Sequence, residues 1–171
     1  MEIINLDFQS ISEVPLSYLF GSTGVYALWG PQAVRRPTYI GQGQILDRLV
    51  HHTKKLSPNF QGIVARTDLD CTRARAKDDA EIAEAFLIWA ANYLDKGPTR
   101  NINSGCWKKM IGLSTSYGRI RINITGYDPL KKPGTQGWRL AEKKVATLNG
   151  FFREGGLWVA DMDIPWRRTF C

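Results

Sequence analysis

Five residues in the first half of this 171-residue chain are of types suited to acid–base and anion chemistry: Tyr26, Tyr39, Arg48, His52 and Glu84. Arg48 and His52 stand four apart, so on a helix their side chains share one face about a turn apart. Tyr26 and Tyr39 fall in two short apolar runs, "GVYALWG" and "TYIGQG". As neighbouring strands these would bring the two phenols within reach of each other. Glu84 lies beside an apolar helical stripe, where a carboxylate is costly unless it meets a cation or a metal. At neutral pH a histidine can take up a proton without help, whereas only roughly one ordinary tyrosine in a thousand is phenolate. On that ground alone His52 is the natural base. Each residue also has an ordinary use: packed strand tyrosines, a solvated Arg/His helix face, a surface carboxylate. What matters is whether the fold gathers them.

The elements that must position them can be read from period and punctuation. "VPLSYLF" suits a short irregular or helical lead-in ended by "GSTG". "VYALWG", bounded by Gly24 and Gly30, reads as a strand. After the loop "GPQAVRRP", "TYIG" reads as a second strand, paired with the first as an antiparallel hairpin. Ile45, Leu49 and Leu56 recur at helical spacing, and Ser57 and Pro58 stop that helix. "GIVARTD" alternates again as a third strand. "CTRARAKDDAEIAEAFLIWAANYL" is the clearest helix, with Asp78 and Glu81 resembling a capping box. Its apolar face is Ile82, Ala85, Phe86, Trp89 and Tyr93. "DKGPTRNINSG" closes it as a loop. In the second half "GRIRINIT" reads as a strand with Arg119 and Arg121 on one face. "YDPLKKPGTQG" is a long loop, "WRLAEKKVATLNG" a second amphipathic helix, and "LWVADMDIPWRRTFC" a short strand with a basic aromatic tail.

The order GVY, then YIG with thirteen residues from Tyr26 to Tyr39, then Arg48 and His52, then "EAFLI" and "PTRN", resembles the GIY-YIG nuclease family. The resemblance runs from about Thr23 to Asn103, and "TYIGQG…ILDRLVHH" is its most specific part. It implies an α+β fold: a small central three-stranded antiparallel sheet flanked by helices. A GIY-YIG-like core with a short lead-in would occupy residues 1–104, and a basic α/β C-terminal extension residues 105–171. It implies metal-dependent cleavage of phosphodiesters, with Mg²⁺ or Mn²⁺ as cofactor. The family's two tyrosines correspond to Tyr26 and Tyr39, its arginine to Arg48 and its His-or-Tyr position to His52. Its metal-binding glutamate corresponds to Glu84, with Glu81 as rival, and its asparagine to Asn101, with Asn103 as rival. The sequence departs from the pattern in having valine in the first motif and longer segments between the tyrosines and between Glu84 and Asn101.

The chemistry needs groups of these types. Hydrolysing a phosphodiester takes an activated water, neutralisation of charge on the phosphoryl oxygens, and help for the departing alkoxide. A hard divalent ion retains several waters, so one carboxylate such as Glu84 suffices to hold it. The planar fork of Arg48 suits a phosphate, which lysine cannot reproduce. The resemblance points to Tyr26, rather than His52, as the proton acceptor, its phenolate favoured by neighbouring cations, with His52 and Tyr39 orienting water and phosphate. His51 reads as a bystander, pointing elsewhere on the helix.

Composition sets the wider frame. The formal net charge is +7. Residues 1–99 hold ten Lys/Arg against eleven Asp/Glu, and residues 100–171 thirteen against five, so the excess lies in the second part. Such asymmetry suits a polyanion, with nucleic acid the leading partner and DNA favoured over RNA. Lys108, Lys109, Arg119, Arg121, Lys131, Lys132, Lys143 and Lys144 are the candidate contacts. Most of Trp107, Trp138, Trp158 and Trp166 read as core, with "CWKK" and "PWRR" better placed for stacking. Cys71, Cys106 and Cys171 form no CxxC pair and read as reduced thiols of a cytoplasmic protein. No run is long enough to span a bilayer, and the acidic start lacks the apolar core of a secretory signal. The competing readings are an RNA-cleaving nuclease and an inactive nucleic-acid-binding module; the oligomeric state is open.

Overall fold

In the computed structural model, residues 2–55, 58–95, 120–154 and 157–163 are described. The chain begins with an alternation in which Ile4, Leu6 and Phe8 are buried while Ile3, Asn5 and Asp7 are exposed. That period of two makes β1 (Glu2–Ser10). A short α1 (Leu16–Leu19) leads to the hairpin β2 (Thr23–Trp29) and β3 (Tyr39–Gln44), and α2 (Ile45–Lys55) follows directly. Then come β4 (Gln61–Arg66), the long α3 (Arg73–Asp95), and three further strands: β5 (Ile120–Gly126), β6 (Lys144–Glu154) and β7 (Leu157–Asp163).

The class is α+β, but the sheet is larger than three strands. Seven strands run in the order β3-β2-β4-β1-β5-β6-β7. The expected trio is there, with β2 antiparallel to both β3 and β4. The residues that look like a lead-in supply its continuation. Gln9 and Ser10 of β1 pair with β4, while Glu2 to Phe8 pair in parallel with β5. Residues from beyond position 104 therefore extend the same sheet, and Ile4, Leu6, Ile120 and Ile122 share one apolar cluster with α3.

Two other expectations are corrected. The segment "WRLAEKKVATLNG" is not a helix: from Lys144 on it is β6, paired with β5 from Lys144 to Leu148. Its branched Val145 and Thr147 suit a pleated surface, and the partner strand β5 overrides a weak helical period. Among the described residues of the second part there is no helix. The Asp78/Glu81 capping box is likewise absent, because α3 begins five residues earlier at Arg73. Thr72 does the capping, its Oγ1 accepting from the Arg75 N–H at 3.4 Å.

Alternation in the strands divides the interior into two layers. Val25, Ala27, Trp29, Ile40, Ile63 and Ala65 face α3. Tyr26, Leu28 and Val64 face the other way, onto Leu19 of α1 and Ile45 and Leu49 of α2. Of the expected stripe on α3, Ile82, Ala85 and Phe86 are buried and Trp89 is half-buried, and burial also reaches Ala83, Leu87 and Ala90. Among the described residues no helix is long and apolar enough to cross a membrane.

Candidate active site

Tyr26 stands opposite Gly41 of β3 and Val64 of β4. Its ring runs across Gly41: a Cβ there would lie 2.5 Å from the Tyr26 hydroxyl and 2.5 Å from Cε1 of Tyr39. The glycine of "YIG" therefore makes room for both phenols. The glycine of "GVY" does a different job, since a Cβ on Gly24 would lie 2.1 Å from the Ala65 carbonyl and force β2 off β4. The sequence alone reads Gly24 as a strand boundary and Gly41 as part of the YIG strand, and gives neither a steric role.

His52 reaches the tyrosines from α2. Its Nε2 lies 3.0 Å from the Tyr26 hydroxyl, a buried hydrogen bond. The Tyr39 ring closes the third side, 4.5 Å from the imidazole and 6.1 Å from Tyr26 between centroids. Tyr26 is 1% exposed and His52 8%. A helical residue four before His52 meets the same edge strand. A Cβ on Gly43, which adopts a φ of 124°, would lie 3.3 Å from Nε of Arg48. The left-handed backbone and missing side chain of Gly43 thus let the arginine lie against β3.

Electrostatics fix the protonation of the pair. Burial pushes the Tyr26 phenol well above the usual tyrosine range; Tyr39 adds to this, Arg48 opposes it and Glu84 reinforces it. Burial also lowers the His52 pKa, helped by the charges of His51, Arg48 and Lys55. Both groups are therefore neutral at pH 7. In the tautomer with the proton on Nδ1, Nε2 offers a lone pair to the phenol O–H; in the other, Nε2–H donates to the phenol oxygen. Arg48 and Glu84 both act on the same phenol, although α2 and α3 cover opposite faces of the sheet.

The donor set can be tested against a divalent ion. No group of three His, Cys, Asp or Glu side chains gathers among the described residues. Glu84 is a single half-buried carboxylate, and Nε2 of His52 is engaged by Tyr26. One hard oxygen ligand fits Mg²⁺ or Mn²⁺, ions content with waters and phosphate oxygens for the remainder. It does not fit a softer metal that needs several His or Cys ligands.

Tyr26, Tyr39 and His52 are thus in mutual contact, with Arg48 and Glu84 bearing on them. Asn101, Asn103, Lys108, Lys109 and Arg119 lie outside the described residues. The other second-half cations do not gather at this site. Arg121 sits on β5, its Nε buried without a hydrogen-bond partner. Lys131 and Lys132 are half-buried in the loop after β5. Lys143 lines a cleft of about 540 Å³ in which Asp7, Asp70 and Asp79 balance Arg66 and Arg75. Lys144 pairs with the fully buried Asp128 at 2.8 Å, so its charge serves the fold. Trp138 stacks on Tyr127 with centroids 4.1 Å apart, a packing role. Nothing near Lys144 in sequence announces Asp128, sixteen residues earlier.

No family model, curated protein or solved structure matches this chain.

Proposed function

We propose that this chain is a metal-dependent endonuclease of the GIY-YIG type, hydrolysing phosphodiester bonds in DNA within the cytoplasm. One observation carries the reading: the Tyr26 hydroxyl lies 3.0 Å from Nε2 of His52, a buried hydrogen bond against which the Tyr39 ring packs. A phenol whose own ionisation is suppressed by burial is a poor base by itself. Paired with a histidine kept unprotonated, it becomes a relay. As water attacks phosphorus, its proton passes to the Tyr26 oxygen while the phenolic proton passes to Nε2 of His52. Neither phenolate nor hydroxide need accumulate, which removes a cost of about 4 kcal/mol for ionising a free tyrosine at neutral pH.

Arg48 supports the same reading. Exposed at the rim and lying against Gly43, it offers a planar fork to the non-bridging oxygens, where negative charge grows in the transition state. Glu84 is the residue that would hold the divalent ion. When bound, that ion supplies positive charge at the phosphate and leaving oxygen. Tyr39, stacked on the phenol and tilted against the imidazole, holds the two rings in place.

The experiment sets supercoiled plasmid, single-stranded DNA and structured RNA side by side with Mg²⁺, using the wild type and Glu84→Ala. Nicking of plasmid by the wild type, absent in Glu84→Ala and in EDTA, is the expected result. Cleavage confined to RNA would reassign the substrate. Binding without cleavage of any of the three would make the chain a binding module.

A further inference from the structure

The charge count of the sequence places the basic excess beyond residue 99, yet the cations nearest Tyr26 and His52 come from α2. Arg48, His51 and Lys55 are all exposed. At about 100° per residue, Arg48 and Lys55 fall about 20° apart around the helix, and His51 about 40° from Lys55. They form one stripe along α2 bordering the buried His52, with the His51 and His52 ring centroids 5.8 Å apart. Besides burial, His51, Arg48 and Lys55 all lower the His52 pKa. Lys54, equally exposed, points about 120° away from Arg48.

Lysines in a last helical turn also offset the negative end of the helix. That role would serve Lys54 and Lys55 alike and gives no reason for a cation at Arg48, two turns earlier. A polyanion does account for the line of charge. From Arg48 to Lys55 the helix rises about 10 Å, and a nucleic-acid strand presents a phosphate about every 3.4 Å along its axis.

We infer that Arg48, His51 and Lys55 form a phosphate-binding stripe that holds the nucleic-acid backbone on one side of the scissile phosphate. The scissile phosphate sits at Arg48, and about three further phosphates follow along α2 toward its C-terminal end. The contacts are charge-assisted hydrogen bonds, which position the strand without reading its sequence. This inference rests on the nuclease reading above and adds the path of the strand.

The test measures binding of a fluorescent DNA duplex to the full chain in EDTA, so that no turnover is needed, over a series of salt concentrations. The variants are Lys55→Ala, Lys55→Arg and Lys54→Ala, with melting curves to check that each folds like the wild type. Losing one phosphate contact lowers the slope of log affinity against log salt by about 0.9. Lys55→Ala is expected to show that loss, and Lys55→Arg and Lys54→Ala are expected to keep the wild-type slope. Equal slopes for Lys54→Ala and Lys55→Ala, whether both reduced or both unchanged, would overturn the stripe. If the wild type neither binds the duplex nor cuts it with Mg²⁺, the nuclease reading falls and the stripe with it. A wild type that binds and cuts, beside a Lys55→Ala protein that titrates identically, overturns the stripe alone.

Discussion

The Tyr26 hydroxyl and the His52 Nε2 meet at 3.0 Å, joining the second strand to the helix that follows the hairpin. The bond is buried, both partners are neutral, and the elements that carry them pack through Leu28, Ile45, Leu49 and Val64. A polar pair held inside an apolar layer is costly to leave unmatched, so each partner fixes the other.

This pair contributes to the pH dependence of stability at both ends. The His52 pKa is lowered in the folded chain, so the unfolded chain binds its proton more readily. Its contribution is complete above about pH 6.5 and is lost as pH falls below that value. The Tyr26 pKa is raised, so its contribution is complete below about pH 10 and is lost as pH rises above it. Urea unfolding across pH is expected to give a plateau between these limits. His52→Gln should flatten the acid limb, and Tyr26→Phe should make the alkaline limb shallower, the remainder belonging to Tyr18 and Tyr127. An acid limb in His52→Gln as steep as that of the wild type would assign it to other groups.

Gly41→Ala is expected to destabilise the chain by about 1–3 kcal/mol and to abolish cleavage. The added methyl would lie 2.5 Å from both the Tyr26 hydroxyl and Tyr39, so the rings must move. Gly30→Ala is the control, because its methyl meets only Thr38 Oγ1 at 3.4 Å. Thermal melting and near-ultraviolet circular dichroism of the two variants check this; equal behaviour would contradict the account of the "YIG" glycine.

The hairpin, α2, β4 and α3 were legible because each carries its period and its punctuation in a short stretch. Tyr26, Tyr39 and His52 could be brought together on paper because all lie within one local supersecondary unit. The rest depended on distant partners. β1 passes for a lead-in despite its alternation because its neighbours, β4 and β5, lie far along the chain. β6 reads as a helix because Trp138, Ala141, Val145 and Leu148 happen to recur at intervals of three, four and three, while β5 imposes the strand. Half-chain charge sums hid the α2 stripe, since acids elsewhere in the first half cancel it in the total. They also credited Lys144 to a ligand when it belongs to Asp128.

Asp128→Ala should cost about 3 kcal/mol in urea unfolding, because it strands the Lys144 ammonium and removes the acceptor of the Leu130 N–H. Lys143→Ala, one residue from that pair and exposed, should change stability by less than about 0.5 kcal/mol. Similar costs for the two would remove the distinction between a folding cation and a surface one.

The proton relay through Tyr26 is tested most directly by single-turnover cleavage of plasmid with saturating Mg²⁺, comparing the wild type with Tyr26→Phe. The phenylalanine ring keeps the packing against Gly41 and Tyr39 but carries no hydroxyl. The expected result is a rate at least about 100-fold lower, with DNA affinity in EDTA unchanged. A Tyr26→Phe protein that cuts within about threefold of the wild-type rate would contradict the account, because a group worth less than about 1 kcal/mol to the transition state is not its proton acceptor.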